Sequence, residues 1–144
     1  FASAYLPIQK GDVWVSHLYG SWANEAQLAQ EPLRPGIKMI KNKDGIRNSH
    51  TAHAEVMISL DGKPKENTGS VIGVALCYSG NYKLFFDTDD SDHHHFFAGI
   101  NEENSAYTLK AKESFRTPEL ALTYSKDGLS GSSRNFHAWH ANIR

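Results

Sequence analysis

The sequence lacks the features that mark several large classes of protein. A single cysteine among 144 residues excludes an internal disulfide. The longest apolar run, Val71 to Tyr78, is far shorter than the ~20 residues of a membrane-spanning helix. The chain has fifteen basic and sixteen acidic residues, for a formal net charge of -1 at pH 7. This balance does not favour binding to nucleic acid or to an anionic membrane, so we expect neither partner.

The sequence also limits the kinds of chemistry that this chain could perform. Cys77 lies within the apolar run, where a small buried hydrophobic residue is the favoured interpretation over a nucleophile. No nucleophile-elbow, Walker or dinucleotide motif occurs, and no acidic residue lies in a recognisable acid–base motif. We therefore assign no catalytic residue and expect no cofactor. The chain begins at Phe1, and we expect it to be part of a larger protein.

Alternation of apolar and polar residues is the main pattern in the sequence. In ELALTY (119–124), Leu120, Leu122 and Tyr124 share one side, as strand geometry requires. Short spacing and turn formers such as Gly80-Asn81, taken as a hairpin turn, predict an all-β fold, an antiparallel β-sandwich. The predicted strands are 12–19, 36–41, 53–60, 70–79, 82–87, 106–112 and 119–124.

The C-terminal residues do not follow this alternation of apolar and polar residues. Phe136, Trp139, His140 and Ile143 have the spacing of one helical face, which predicts a short C-terminal helix over 130–144. Ser130 or Ser132 is the expected N-cap. Of His137 and His140, we expect one to pack and the other to be exposed.

The tract DTDDSDHHHFFAGIN (87–101) suggests a metal site. Counted as a calcium loop from Asp87, it has Asp92 where glycine is needed and Ala98 where glutamate is needed. Successive histidines on a strand point to opposite faces, so only His93 and His95 could share half a site. A turn leading into a strand is the favoured interpretation, and no metal is expected.

Aromatic and histidine residues supply the candidate binding groups. Trp22 follows a predicted strand in LYGSWANEAQ (18–27), where an indole is either a platform for a sugar ring or part of the core. His50 and His53 lie in NSHTAH, a predicted loop beside Arg47. They are either a polar edge facing a ligand or a turn-stabilising pair.

A family resemblance emerges at SFRTPELALTYSKDGLSGSSRNFHAWHANIR (114–144). It resembles the junction in glycoside hydrolase family 36, the bacterial α-galactosidases, where "ESFxTPE" precedes "YSxxGL". Further resemblances follow in the same order along the chain. They are LYGSWANEAQ to "LxGxWxRE", PLRPGI (32–37) to the same motif, NSHTAH to a Ser-His-rich loop, YSGNYK (78–83) to "YSGNF" and AGIN (98–101) to "GIN".

The resemblance implies the N-terminal domain of a retaining α-galactosidase that hydrolyses terminal α-galactosides such as melibiose and raffinose. Residues 1–129 would be part of a β-supersandwich, and 130–144 a helix linking to a catalytic (β/α)8 barrel. The family's catalytic carboxylates lie in that barrel, in a "KWD"-type motif and a later aspartate that this chain lacks. The implied roles are support of the barrel and of a homo-oligomer in the bacterial cytoplasm. Galactoside contact would be indirect, with Trp22, His50 and His53 at the rim.

Two other classes remain open. A free-standing carbohydrate-binding module or lectin-like sandwich would share the fold and the exposed tryptophan. It would not account for the terminal helix or the Thr-Pro-Glu to Gly-Leu junction. A metal-binding protein is the third class. Because the strands are only part of the family's sandwich, unpaired edges are expected to favour self-association.

Overall fold

Two antiparallel sheets pack face to face in the computed structural model, which describes residues 2–44 and 51–143. A single helix among these residues covers part of the outside. The elements are β1 Ala2–Ile8, β2 Trp14–Ser21, β3 Asn24–Pro32, β4 Gly36–Lys41, β5 Glu55–Ser59, β6 Val71–Cys77, β7 Tyr82–Thr88, β8 His94–Ile100, β9 Glu119–Ser125 and α1 Gly128–Asn142. The predicted all-β sandwich with a short C-terminal helix is confirmed.

One sheet has four strands in the order β1-β8-β7-β4, and the other has five in the order β3-β2-β5-β6-β9. The core lies between them, because alternate residues of each strand point inward. On β7, Tyr82, Leu84 and Phe86 are fully buried on the predicted face. On β8, Phe96 and Ala98 are fully buried opposite them. The alternation read from the sequence thus places the core correctly.

Strand β6 is covered on both sides, which explains its uninterrupted apolar sequence. Val74 faces the four-stranded sheet with no exposed surface. Gly73 faces α1, and a Cβ atom there would overlap Ser132 Oγ and the Phe136 ring. The helix therefore approaches the sheet closely at a position where only glycine fits. Phe136 is half-buried, whereas Trp139, Ile143, His137 and His140 are exposed, so the expected burial of one histidine is wrong.

The start of α1 corrects the predicted N-cap. The helix begins at Gly128, and Asp127 makes no side-chain cap bond. Its first amides instead donate to backbone carbonyls of the loop between β5 and β6. The bonds are Gly128 N to Gly69 O at 3.0 Å, Leu129 N to Lys65 O at 3.1 Å and Ser130 N to Glu66 O at 2.9 Å. A distant loop thus satisfies donors that a serine side chain was expected to satisfy.

Three strand assignments differ from the sequence prediction. Residues 106–112 form no strand, and Tyr107 and Leu109 are exposed. The apolar alternation is real there, but no described strand lies alongside to pair with it. Strands β1 and β3 were not predicted. Both are edge strands, and β3 is too polar to give a one-sided pattern.

Two smaller predictions at the end of β6 are wrong. Cys77 is exposed, because it is the last residue of the strand and lies beyond the covered part. Gly80-Asn81 is not a hairpin turn, since β6 and β7 belong to different sheets. The turn carries the chain from one sheet to the other. Within the described residues, no helix has both the length and the apolar character needed to cross a membrane.

Because the β5–β6 loop lies close to the start of α1, we expect a side chain at Gly128 to destabilise the fold. Gly128 has φ +65°, and an added Cβ would lie 2.5 Å from Lys65 O and 2.7 Å from Glu66 O. We expect Gly128→Ala to lower the free energy of unfolding by about 2–4 kcal/mol, the sum of left-handed strain and overpacking. Urea denaturation measures the loss.

Ser130→Ala is the matched control in the same helical turn. It removes only the hydroxyl's hydrogen bond to Glu66 and is expected to cost about 1 kcal/mol or less. Equal effects of the two substitutions would show that the backbone contact at residue 128 does not hold the helix.

Candidate functional site

The hairpin of β2 and β3 extends beyond the end of its sheet. These two strands pair from Trp14–Pro32 to Ser21–Asn24. Strand β5, on the other side of β2, pairs only with residues 14–17. Residues 18–27 therefore form a two-stranded arm, defined here as the β2–β3 arm, with no third strand beside it in the part of the chain that the structure describes. Tyr19 and Leu28, at and beside the arm, are 46% and 55% exposed.

Trp22 occupies the tip of this arm, and its neighbours fix the turn. Ala23 has φ +64°, and its amide donates to Glu25 Oε1 at 3.2 Å. The ladder shifts register between Tyr19 and Ser21. A Cβ at Gly20, between them, would overlap Asn24 O. The indole of Trp22 is 86% exposed, which excludes the core alternative. Contact of this indole with a sugar stays a prediction.

The second predicted group, the histidine loop, is described only in part. His50, with Arg47 and Asn48, lies outside the described residues. His53 is about one-third exposed, and its Nδ1 lies 3.8 Å from Glu55 Oε1. Glu55 begins β5 next to Val56, the residue that pairs with His17 at the base of the arm. The structure therefore places His53 and the arm at the same end of the sandwich.

A charged cluster beside the arm was not predicted from the sequence. Lys38 Nζ on β4 lies 2.5 Å from Glu31 Oε1 on β3, so the ion pair joins the two sheets at their edges. His17 Nε2 lies 3.5 Å from the same oxygen. Neither ring nitrogen of His17 has a hydrogen-bond partner among the described residues. No local sequence pattern links these residues, because the inward position of Glu31 follows from its pairing with the buried Val15.

The cluster shifts the ionisation of both its acid and its base. Burial lowers the pKa of His17, and the charge of Lys38 lowers it further, against the opposing effect of Glu31. Burial alone would raise the pKa of Glu31, but the hydrogen bond and charge of Lys38 bring it below its ordinary value. The folded state thus favours a neutral imidazole beside a closed ion pair.

The acid–histidine tract forms a turn and the start of β8, as predicted. Asp89 accepts the backbone N–H of His93 at 2.9 Å, and its other carboxylate oxygen lies 2.9 Å from His93 Nδ1. The backbone bond from His93 lowers the pKa of Asp89. His95 Nδ1 lies 2.7 Å from the Tyr5 hydroxyl. Within residues 2–44 and 51–143, no three His, Cys, Asp or Glu side chains are grouped to hold a metal.

His94, the middle histidine, is buried and serves the fold. Its Nε2 lies 3.0 Å from Gly11 O, which can only accept, so Nε2 carries the proton. Its Nδ1 then accepts from the Thr88 hydroxyl at 2.9 Å. The three histidines therefore contact different residues, and none shares a partner with another.

Comparison with known proteins places this geometry in a family. The model of the glycosyl hydrolase family 36 N-terminal domain matches residues 1–110. This chain belongs to glycoside hydrolase family 36. Alpha-galactosidase Mel36A of Lactobacillus acidophilus is 34% identical over 137 residues, which are 95% of this chain and 18% of Mel36A. The bifunctional alpha-galactosidase/sucrose kinase AgaSK of Mediterraneibacter gnavus is 33% identical over 94% of this chain and 14% of its own.

Solved structures of family 36 enzymes are also similar to this chain in fold. The family 36 alpha-galactosidase AgaA of Geobacillus stearothermophilus, solved as a variant in complex with stachyose, superposes with a TM-score of 0.86. It is 28% identical, and the match covers 93% of this chain and 18% of AgaA. The chain therefore spans less than a fifth of the relatives' length and corresponds to part of a larger multidomain enzyme.

The largely buried histidine of the charged cluster, His17, predicts a pH dependence of stability. The pKa of His17 is lowered in the folded chain, so below its ordinary value of 6.5 the unfolded chain binds more protons. The free energy of unfolding should fall as pH drops through that value. His17→Gln should lose less stability than the wild type between neutral pH and about pH 5, a range above the carboxylate titrations.

Denaturation at several pH values measures this difference. His140→Gln, which removes an exposed histidine from α1, controls for the loss of an imidazole as such. Parallel pH profiles for wild type and His17→Gln would contradict the assignment.

Proposed function

We propose that this chain is the N-terminal, non-catalytic part of an α-galactosidase that hydrolyses terminal α-galactosides such as melibiose and raffinose with retention. The family match over residues 1–110 carries the proposal. Similarity to named α-galactosidases over most of this chain supports it. A retaining glycosidase uses one carboxylate as nucleophile and a second as acid and then base. None of the aspartates here follows Lys-Trp as the family motif requires.

The sandwich would then act as a support for the catalytic (β/α)8 barrel of the same protein. Helix α1 would link residues 1–129 to it, and the whole enzyme would be a homo-oligomer. The exposed, unpaired thiol of Cys77 favours a reducing compartment, in keeping with a bacterial cytoplasm.

The β2–β3 arm supplies the contribution to the active-site rim in this proposal. A two-stranded ribbon is marginally stable alone, so a fixed turn that exposes a tryptophan favours a role for the indole outside the chain. The flat indole suits the apolar face of galactose. Trp22 would thus lie at the active-site rim, and His50 and His53 are the further rim residues of this proposal.

Activity assays of the complete gene product and of the 144-residue chain test this proposal. The complete gene product is expected to release galactose from melibiose and raffinose. The 144-residue chain, in which no aspartate follows Lys-Trp, is expected to hydrolyse no aryl α-galactoside above the level of a mock purification. An inactive complete product would overturn the α-galactosidase assignment. Turnover that copurifies with the short chain would overturn its non-catalytic role.

The role of Trp22 is tested by nuclear magnetic resonance of the indole N–H groups. Titration with melibiose is expected to shift the Trp22 signal and leave those of Trp14 and Trp139 in place. Trp22→Phe identifies the signal and should leave stability within ~0.5 kcal/mol, since the side chain is exposed. Maltose serves as the sugar control. An unmoved Trp22 signal would limit the chain to its supporting role.

A further inference from the structure

His17 is a buried base whose ring nitrogens are not hydrogen-bonded. Its side chain is only 12% exposed, and neither nitrogen has a hydrogen-bond partner within residues 2–44 and 51–143. Ala29 and Val56, which lie opposite it on β3 and β5, have no polar side chain to offer. Because buried polar groups are almost always hydrogen-bonded, an imidazole left in this way requires an explanation.

An acceptor for the ring lies close by and is already in use. Glu31 Oε1 on β3 is 3.5 Å from His17 Nε2 and 2.5 Å from Lys38 Nζ on β4. The same carboxylate oxygen thus lies between an imidazole and an ammonium group. While the imidazole is neutral, the ammonium group holds the carboxylate, and the ion pair connects the edges of the two sheets. A proton on the imidazole would place two cations beside one anion.

Two charged groups act on the His17 ring from the elements packed against it. Burial lowers the pKa of the ring, the charge of Lys38 lowers it further, and Glu31 raises it. Glu55 of β5 and His137 of α1 line a cavity together with His17, but neither contributes to this shift. The result of protonation therefore depends on the imidazole, the carboxylate and the ammonium group.

The two basic side chains differ in their access to water. His17 lies in the part of β2 that is paired on both sides, so its ring has little contact with solvent. Lys38 lies on the edge strand β4, and its side chain is 32% exposed. A lysine side chain can turn and carry its ammonium group into water. Because an unpaired charge costs least where water reaches it, a charged imidazole would keep the carboxylate and the lysine would leave it.

We propose that protonation of His17 moves the Glu31 carboxylate from Lys38 to the imidazolium, and so opens the ion pair between the two sheets at the base of the β2–β3 arm. The proton comes from solvent, and no covalent bond forms or breaks. In the neutral form Glu31 connects β3 to β4, and in the charged form it connects β3 to β2 within one sheet. Since β2 and β3 continue directly into the arm, the cluster is a pH-sensitive switch at its base.

The exchange of partners goes beyond the loss of stability that burial of a histidine causes in acid. Burial alone would weaken the fold as a whole and leave the ion pair closed. The exchange instead removes the coupling between Glu31 and Lys38 as the imidazole gains its proton. Neither effect involves hydrolysis of a sugar, so failure of this proposal would leave the proposed function standing.

A double-mutant cycle measured across pH tests the exchange. Wild type, Glu31→Gln, Lys38→Met and the double variant, which keep similar side-chain sizes, are compared by urea denaturation between about pH 7.5 and about pH 5. Nuclear magnetic resonance of the imidazole protons shows where His17 titrates. The coupling should fall to less than about half of its neutral value over that titration. Glu31 stays charged, because its pKa lies below its ordinary value.

Two controls separate the exchange from general effects of acid. The same cycle in a His17→Gln background should show a coupling that does not change with pH. Lys41 and Glu103 form a similarly exposed ion pair at 2.5 Å, on whose carboxylate no histidine acts, and their coupling should also stay constant. The proposal would be overturned by a constant coupling while His17 gains its proton, or by an imidazole that stays neutral throughout. An equal fall in either control would overturn it too.

Discussion

Three backbone carbonyls of the β5–β6 loop hold the first turn of α1, and the rest of the structure depends on that contact. It directs the helix over β5, β6 and β9, so that β6 is covered on both faces and Gly73 must be glycine. It also places α1 beside the outer face of β2 and β3, where Leu28 and Ser133 line the same cavity.

The sequence predicts this fold well where one strand face is apolar and covered. The bounds of β4 agree with the prediction at 36–41, and β7 and β9 agree within a residue. Strand β3 escaped prediction because an edge strand needs few apolar residues. Residues 106–112 were predicted as a strand because Tyr107 and Leu109 alternate with polar residues. Alternation of apolar and polar residues gives a segment one apolar face. The segment forms a strand only where another strand hydrogen-bonds to it.

The helix start and the charged cluster could not be predicted, because both join residues far apart in the chain. The carbonyl that Leu129 uses belongs to Lys65, and no local pattern connects them. The ion pair of Glu31 with Lys38 spans two sheets whose edges meet only after folding. Trp22 was recognised as a candidate from its motif, but its exposure depends on how far β2 and β3 extend beyond β5.

Many of the exposed apolar residues fall into three groups. One group is the tip of the arm and another is the uncovered end of β9. A third is the segment before β9, where the rings of Tyr107 and Phe115 lie 4.9 Å apart beside the exposed Leu109. Burying such a side chain contributes roughly 1.5–3 kcal/mol, so each group represents a free energy that the isolated chain leaves unused. The chain spans less than a fifth of its relatives' length, so in those relatives the equivalent surfaces belong to a much larger molecule.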